Sequence, residues 1–590
     1  MQNSSFFKNI LFTCLFLGLI QVSLFAQHGS IQHHFEHIHP TLHSIEKAQM
    51  NGEISIDEAI LEKLYAGFEP EKVSERFRYQ NDRPIRCMTP VLQEFYRERD
   101  NLSAATVSAV ENIINKPRSS AAHSYISPSG NFIFHYDLTG PNAVPAESTI
   151  EVGVPDYVYQ AAFAADSSYR YQIEDLGFED FVLDEPYEIF LENLGRLYGM
   201  TVQSGSTTFI RIHNNFQGFP ENTHPESNEI GALYVTMAHE IKHASQFATN
   251  RWTCEPGRSD QAGCFNWAEM DATMMEEIVF DDVNDYYNYI TDGRSIFSNP
   301  QNATPGAYWH VTWMLYFAEK HGMDFWVDVW DQFVDDRERA FLAATESALA
   351  DRNSSLHSEH LLNHMWHMAS GPDYSPVEFG FEERLEYPNP TFRNNFNTVP
   401  DSLINGQLSS YAANYIDVRP SNITLGQPNI TLESSAEGIG IGVIGYFRDG
   451  STKEQFFVDP NSTLQNIQTT WSWSELIDMS IAVVNTNRTQ GGTYSLTLSS
   501  VLPEEDLLAN NYPNPFNPTT QIEFSINRDK HIRLEVYDQI GRKVSTLIDE
   551  QLNRGFHQVT FDGTGLASGV YFYRIITDQT VTTNKMMLIK

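Results

Sequence analysis

The spacing of apolar residues divides this chain into a helical start, a mixed middle and an all-β end. Between residues 42 and 78 apolar positions recur at helical spacing in two stretches. The second opens at Ser55-Ile-Asp-Glu58, a capping-box spacing, and stops at Gly67. Residues 27–125 therefore read as a helical pro-segment or cap. The runs NFIFHYD (131–137) and TFIRIHN (208–214) are rich in aromatic and β-branched residues and predict strands, with a helix over 157–176 between them. Period two places His135 and His213 on one strand face or the other, and both read as structural residues rather than ligands. Residues 230–238 are apolar enough for a buried helix. The pattern NWAEMDATMMEEIV (266–279) predicts another, and YWHVTWMLYFAEKH (308–321) a third that ends at Gly322 and continues in style through 325–333. After an Asn- and Pro-rich stretch at 388–400, short alternating runs broken by Gly, Asn and Ser predict an antiparallel β-sandwich over 405–502. A polar linker leads into further short strands over 506–590.

The expected architecture is thus multidomain, with an α+β domain over 126–400 followed by two all-β sandwiches. Residues 1–26 carry one Lys, an apolar run and Ser23-Leu-Phe-Ala26, the pattern of a signal peptide. No later run is apolar for 18 residues, so no integral membrane segment is expected after signal removal. The 76 acidic against 38 basic residues give a net charge of −38, which argues against nucleic acid as a partner. Of the four cysteines Cys14 leaves with the signal peptide; Cys254 and Cys264 close a short loop and are the expected disulfide, leaving Cys87 odd. Histidines cluster between His28 and His43, and this tract reads as a disordered start. The cluster Asp281, Asp282, Asn284, Asp285 lacks the spacing of a calcium loop and reads as a solvated helix end.

Candidate chemistry concentrates at AHEIKHASQF (238–247). His239 and His243 stand four apart, one helical turn, so both imidazoles can reach one ion, and Glu240 between them can reach a water bound to it. This is the HExxH zinc signature, and Zn2+ is the expected cofactor. A third ligand must come from downstream, where helix 266–279 offers Glu269, Asp271, Glu276 and Glu277.

Here the chain resembles the gluzincin metallopeptidases: Glu269-Met-Asp-Ala272 stands where they carry Glu-x-x-Ala, which implies Glu269 as the third ligand, with Glu276, on the same face, as the alternative. His243-Ala-Ser-Gln246, Trp267-Ala-Glu269, VPDYV (154–158) and YGMT (198–201) extend the resemblance to secreted bacterial metalloproteases of that clan over roughly residues 45–340. It implies a zincin-like catalytic domain whose edge strand can pair with an extended peptide. Tyr308 and His310 are the candidates to stabilise the oxyanion. Thr273 stands where thermolysin-like members place an Asp, which leaves open what orients His239. Arg86-Cys87-Met-Thr-Pro90 resembles the cysteine of a latent metalloprotease pro-segment, whose thiolate takes the open zinc position; plain burial, or a mixed disulfide with Cys254 or Cys264, is the expectation preferred for it.

The C-terminal strands closely resemble the immunoglobulin-like sorting domain of bacterial type IX secretion, through NYPNPFNPTTQIEFSI (511–526), Tyr537-Asp-Gln-Ile-Gly541-Arg, Ser568-Gly-Val-Tyr571 and the terminal KMMLIK. That implies delivery to the outer surface or the medium, with the secretion machinery as a partner. Taken together, the chain reads as a secreted zinc endopeptidase acting on protein or peptide substrates, with His239, His243 and Glu269 holding Zn2+ and Glu240 as general base. The competing reading is a non-catalytic adhesin or glycan binder with a structural or decayed zinc site.

Overall fold

The computed structural model describes residues 39–79, 83–115, 122–249, 264–302, 308–336, 339–376, 378–396, 402–420, 426–501, 507–553 and 555–590. The signal peptide, most of the histidine tract, Cys254 and the side chain of Cys264 lie outside the described residues, and with them the expected disulfide. Contacts group the chain into two units, Met1–Asp292 with Pro305–Asn353, and Gly293–Thr304 with Ser354–Lys590.

In the first unit, α1 (Pro40–Met50) and α2 (Ile56–Phe68) form where the helical spacing predicts them. Ser55 Oγ accepts the Glu58 N–H at 3.2 Å and caps α2. Two helices with weaker local signals follow, α3 (Thr89–Glu98) and α4 (Ala104–Ile114). The segment is not wholly helical. Ile85–Cys87 is a strand, β1, and joins a six-stranded sheet with β2 (His123–Ile126), β3 (Phe132–Tyr136), β4 (Tyr187–Glu192), β5 (Leu197–Ser204) and β6 (Thr207–His213), in the order β1-β5-β6-β4-β3-β2. Strands β3, β4 and β6 run parallel to one another, while β5 is antiparallel to β6 and β1 pairs with β5 in parallel. Nor do residues 39–115 close on themselves: Ile60, Leu64, Leu92, Phe95 and Val110 share one core with Leu197, Met200 and Val202 of β5. Those helices therefore cover one face of the sheet.

The pleat sends the residues that alternate with Met200 and Val202 the other way. Gly199 and Thr201 meet α6 (Asn228–Ala248), the helix that carries His239 and His243. A Cβ at Gly199 would lie 2.7 Å from Thr236 Cγ2, so the glycine of the YGMT motif permits the close approach of strand and helix. Helix α5 (Asp156–Tyr169) continues into a π-helical turn, Arg170–Asp175, where Gln172 donates to the Ala238 carbonyl at 3.0 Å. Helix α7 (Cys264–Val279) packs against α6, followed by α8 (Tyr287–Ile290), α9 (Val311–His321), α10 (Asp324–Asp335) and α11 (Phe341–Asp351).

In the second unit, nine strands between Phe392 and Val501 form a five-stranded and a four-stranded sheet around one core that includes Ile441, Val443, Trp473, Ile481 and Leu496. Helix α12 (Leu356–Met368) falls within the span expected for the α+β domain, yet its apolar side packs on the strands Ile439–Phe447 and Leu476–Asn485. Seven strands between Leu507 and Leu588 form a three-stranded and a four-stranded sheet with a core of their own around Phe524, Val536 and Tyr573. Among the described residues no helix is long and apolar enough to cross a membrane.

Candidate metal centre

Helix α6 is capped by Ser227, whose hydroxyl accepts the Ile230 N–H at 3.3 Å, and its uninterrupted period puts His239 and His243 on one buried face. Their Nε2 atoms are 3.1 Å apart. From α7 comes Glu269, with Oε1 3.1 Å from His243 Nε2 and Oε2 3.4 Å from His239 Nε2. A fourth donor arrives from β1: the ligand atoms of Cys87, His239, His243 and Glu269 all lie within 4.8 Å of one another, and all four residues are buried. Cys87 is buried and carries a free thiol, so of the two outcomes preferred for it burial holds and a mixed disulfide does not.

The rings are held from behind. His239 Nδ1 is 2.7 Å from Glu276 Oε1, and His243 Nδ1 is 2.9 Å from Gln246 Oε1. Both partners are acceptors, so each Nδ1 carries a hydrogen and each Nε2, the atom left to meet a metal, is turned toward the cluster. Two imidazole lone pairs, a carboxylate and a sulfur thus converge where only a cation can satisfy them, and this N, N, O, S donor set fits zinc. Without a metal, a proton takes that place on His239. Burial opposes protonation of His239, but hydrogen bonds to Glu269 and Glu276 prevail and raise its pKa to about 9. Burial works against Glu269 as well, yet the two imidazoles hold its carboxyl well below the usual range. Burial, together with the charges of Glu240 and Glu269, pushes the Cys87 thiol up.

Glu276 is therefore the group that orients His239, and Glu269 the one that faces the cluster. Seven residues apart on one helix face, about 10.5 Å along the axis, the two carboxylates meet opposite nitrogens of the same ring. Gln246 is fixed in turn, its Nε2 donating to the Ala268 carbonyl at 3.0 Å and to Asp271 Oδ2 at 2.9 Å, while Trp330 Nε1 donates to the same Asp271 oxygen at 3.1 Å. Trp267, whose ring stands 4.5 Å from that of Phe341, is core.

Glu240 is fully buried; Thr201 Oγ1 lies 2.8 Å from its Oε2, while its Oε1 has no hydrogen-bond partner among the described residues. Burial raises its pKa, opposed by the two histidines. Tyr308 donates its hydroxyl to Glu269 Oε2 and stacks on His239 with ring centres 6.2 Å apart. His310 is buried at the head of α9, beside Trp309. His135 stacks on Phe190, and His213 Nδ1 accepts the N–H groups of Asn215 and Phe216. Asp285, expected at a solvated helix end, is buried and pairs at 3.0 Å with Arg86, which also pairs with Glu276 and lies over the Tyr198 ring. A cavity of about 210 Å³ opens beside Cys87, lined by Arg83, Arg86, Tyr198, Tyr289 and Tyr308 among others.

Residues 510–590 match the secretion system C-terminal sorting domain. The chain is therefore exported, to the medium or to the outer cell surface, by way of this sorting domain. No curated protein matches the chain. Among solved structures it is similar to PorZ, a surface component of the type IX secretion system of Porphyromonas gingivalis, at 18% identity over 16% of this chain and 14% of that one, with a TM-score of 0.12. It is similar to dimeric latent PorU of the same organism at 18% identity over 34% of this chain and 19% of that one, with a TM-score of 0.14. Tripeptidyl peptidase 2 gives 7% identity over 33% and 24%, with a TM-score of 0.13. The chain thus spans less than a quarter of each of these proteins.

Proposed function

We propose that the first unit is a zincin-like peptidase domain and that the protein is a secreted zinc endopeptidase, with His239, His243 and Glu269 as the metal-binding residues. The observation that carries this reading is Glu240: a buried carboxylate beside the donor cluster, one oxygen held by Thr201 and the other without a partner among the described residues. Bound zinc supplies Lewis acidity to a water and to a substrate carbonyl. Oε1 of Glu240 takes the proton of the attacking water while the remaining hydroxide bonds to the carbonyl carbon, and the same carboxyl returns that proton to the amine as the C–N bond breaks. Thr201 holds Glu240 for both transfers. Tyr308, whose hydroxyl must turn away from Glu269 to do so, donates to the oxyanion that forms on the substrate.

One observation favours the second reading, a surface adhesin or glycan binder with a structural site: Cys87 completes a set of four protein donors, as structural zinc sites do. Metal content and casein cleavage of the purified full chain, with and without a chelator, decide between them. The expected result is one equivalent of zinc, chelator-sensitive cleavage, and a Glu240→Gln variant that keeps the metal and loses hydrolysis. A metal-free protein, or a Glu240→Gln variant that cleaves at the wild-type rate, overturns the proposal.

A further inference from the structure

We infer that β1 is a built-in occupant of the peptidase site, with Cys87 closing the metal centre as its fourth ligand and holding the protein latent until the strand withdraws from the edge of β5. This rests on the proposed peptidase reading and names the regulation of that same site. Its ground is a coincidence of backbone and side chain. Strand β1 occupies the sheet edge next to β5, with Ile85 opposite Leu197, Cys87 opposite Gly199, and the Ile85 N–H donating to the Arg196 carbonyl at 2.8 Å. Main-chain pairing of that kind is how an extended peptide adds to a sheet. Strand and peptide therefore compete for one edge, the one whose Thr201 holds Glu240. The neighbouring residue reinforces the hold, because Arg86 pairs with Glu276, the carboxylate that orients His239, and with Asp285.

The strand is short. Only residues 85–87 pair with β5, and of the three Ile85 alone belongs to the core through which α1 to α4 are anchored. Withdrawal needs the three-residue strand to leave without unfolding those helices. As sulfur binds the metal the thiol releases its proton to solvent; as it leaves, the sulfur takes a proton back and a donor position becomes free.

The test uses the purified full chain loaded with Co2+ or Zn2+. Cobalt-loaded wild type is expected to show a sulfur-to-cobalt charge-transfer band that Cys87→Ser lacks, and in the zinc-loaded protein Cys87, followed by mass spectrometry of its peptide, is expected to resist iodoacetamide until a chelator is added. If the open form is a minor population of about 10% or less, Cys87→Ser gains about tenfold or more in peptide hydrolysis, a gain cancelled by adding Glu240→Gln. A wild type without the band, or a Cys87 alkylated equally fast with and without metal, overturns the inference while leaving the peptidase reading intact. A band together with a folded, metal-loaded Cys87→Ser that hydrolyses no faster than wild type overturns the inhibitory role. Should that variant not hydrolyse at all, the centre is structural and the peptidase reading falls with it.

Discussion

Replacing Glu276 by Gln separates the work of a charge from that of a hydrogen bond at the metal centre. In the metal-free protein His239 is held protonated up to about pH 9, against an ordinary value of 6.5, by Glu269 and Glu276. A ring whose folded pKa is raised contributes stability that is complete below 6.5 and lost as pH rises through about 9, here about 3 kcal/mol. A metal must displace that proton. Displacing the His239 proton alone should therefore make affinity climb about tenfold per pH unit up to about 9, a penalty of about 100-fold at about pH 7, and release of the Cys87 proton adds a slope of its own that wild type and variant share. Gln at 276 keeps an acceptor for Nδ1–H but removes the charge, so the ring deprotonates at lower pH and its share of the climb ends earlier. Loss of the orienting carboxylate also weakens the deprotonated site by about 10- to 100-fold. The two effects oppose each other near neutrality. The gap between wild type and Glu276→Gln should be widest above pH 9 and narrow toward pH 7, measured by competition with a chromophoric chelator across that range. A gap of constant size would refute the assignment of Glu276 as the charged partner of His239, and no gap at all would remove it from the centre.

Three further outcomes follow from the same geometry. Thr201→Val removes the donor to Glu240 Oε2; it should leave zinc content unchanged, lower kcat by about 10- to 100-fold for a lost charged hydrogen bond, and move the acid limb of the pH-rate profile upward. His213, lowered to about 4 by burial, stays neutral while the unfolded chain protonates near 6.5, so about 3 kcal/mol of stability should be lost as pH falls from 6.5 to about 4; His213→Asn should recover most of it in urea unfolding followed by tryptophan fluorescence. Truncation after residue 501 should leave metal content and hydrolysis unchanged but stop delivery beyond the periplasm, as cell fractionation would report, because the last seven strands close a core of their own.

What could be read from the chain alone follows the range of the interactions. His239, Glu240 and His243 are set by one helical turn, and Ser55 by a local cap, so period and spacing suffice for them. The sorting domain is legible because several short motifs fall within some 80 residues. Cys87 is different. Its motif offers a zinc-facing thiol only as the less preferred reading, because it lies about 150 residues before the histidines on a strand of three residues with no alternation to detect, and the pairing of Cys87 with Gly199 is what brings it to them. Glu276 was visible as a second carboxylate on the face of Glu269. Which nitrogen each would meet depends on how α7 crosses α6, a tertiary fact. Thr201 was noticed within YGMT without a role; its position opposite Glu240 emerges only once β5 packs on α6. The same holds for α12, whose helical pattern is evident but whose partner, one sheet of the sandwich, is not local.

The charges buried around the centre bear on whether it is built for chemistry. Five carboxylates are buried there, those of Glu240, Glu269, Asp271, Glu276 and Asp285, against the two cations Arg86 and Lys242. A divalent ion offsets much of the excess, and the positions of Glu269 and Glu276 are explained by that ion and its ligands. Asp285 is answered by Arg86, and Asp271 by Gln246, Trp330 and Lys242. Glu240 alone gains little: one threonine hydroxyl holds one of its oxygens, and burial of a carboxylate costs several kcal/mol. In a purely structural site an apolar side chain of similar size would serve better, as buried ionic groups replaced by well-packed hydrophobic ones often show. Glu240→Leu, compared with wild type when both are saturated with zinc, should thus be equally or more stable, by up to about 3 kcal/mol in thermal unfolding, while its hydrolysis is lost. Stability gained at the expense of activity is the expected signature of a residue positioned for catalysis. A Glu240→Leu protein destabilised by several kcal/mol would mean that the carboxylate supports the fold, and the argument from its desolvation would fail.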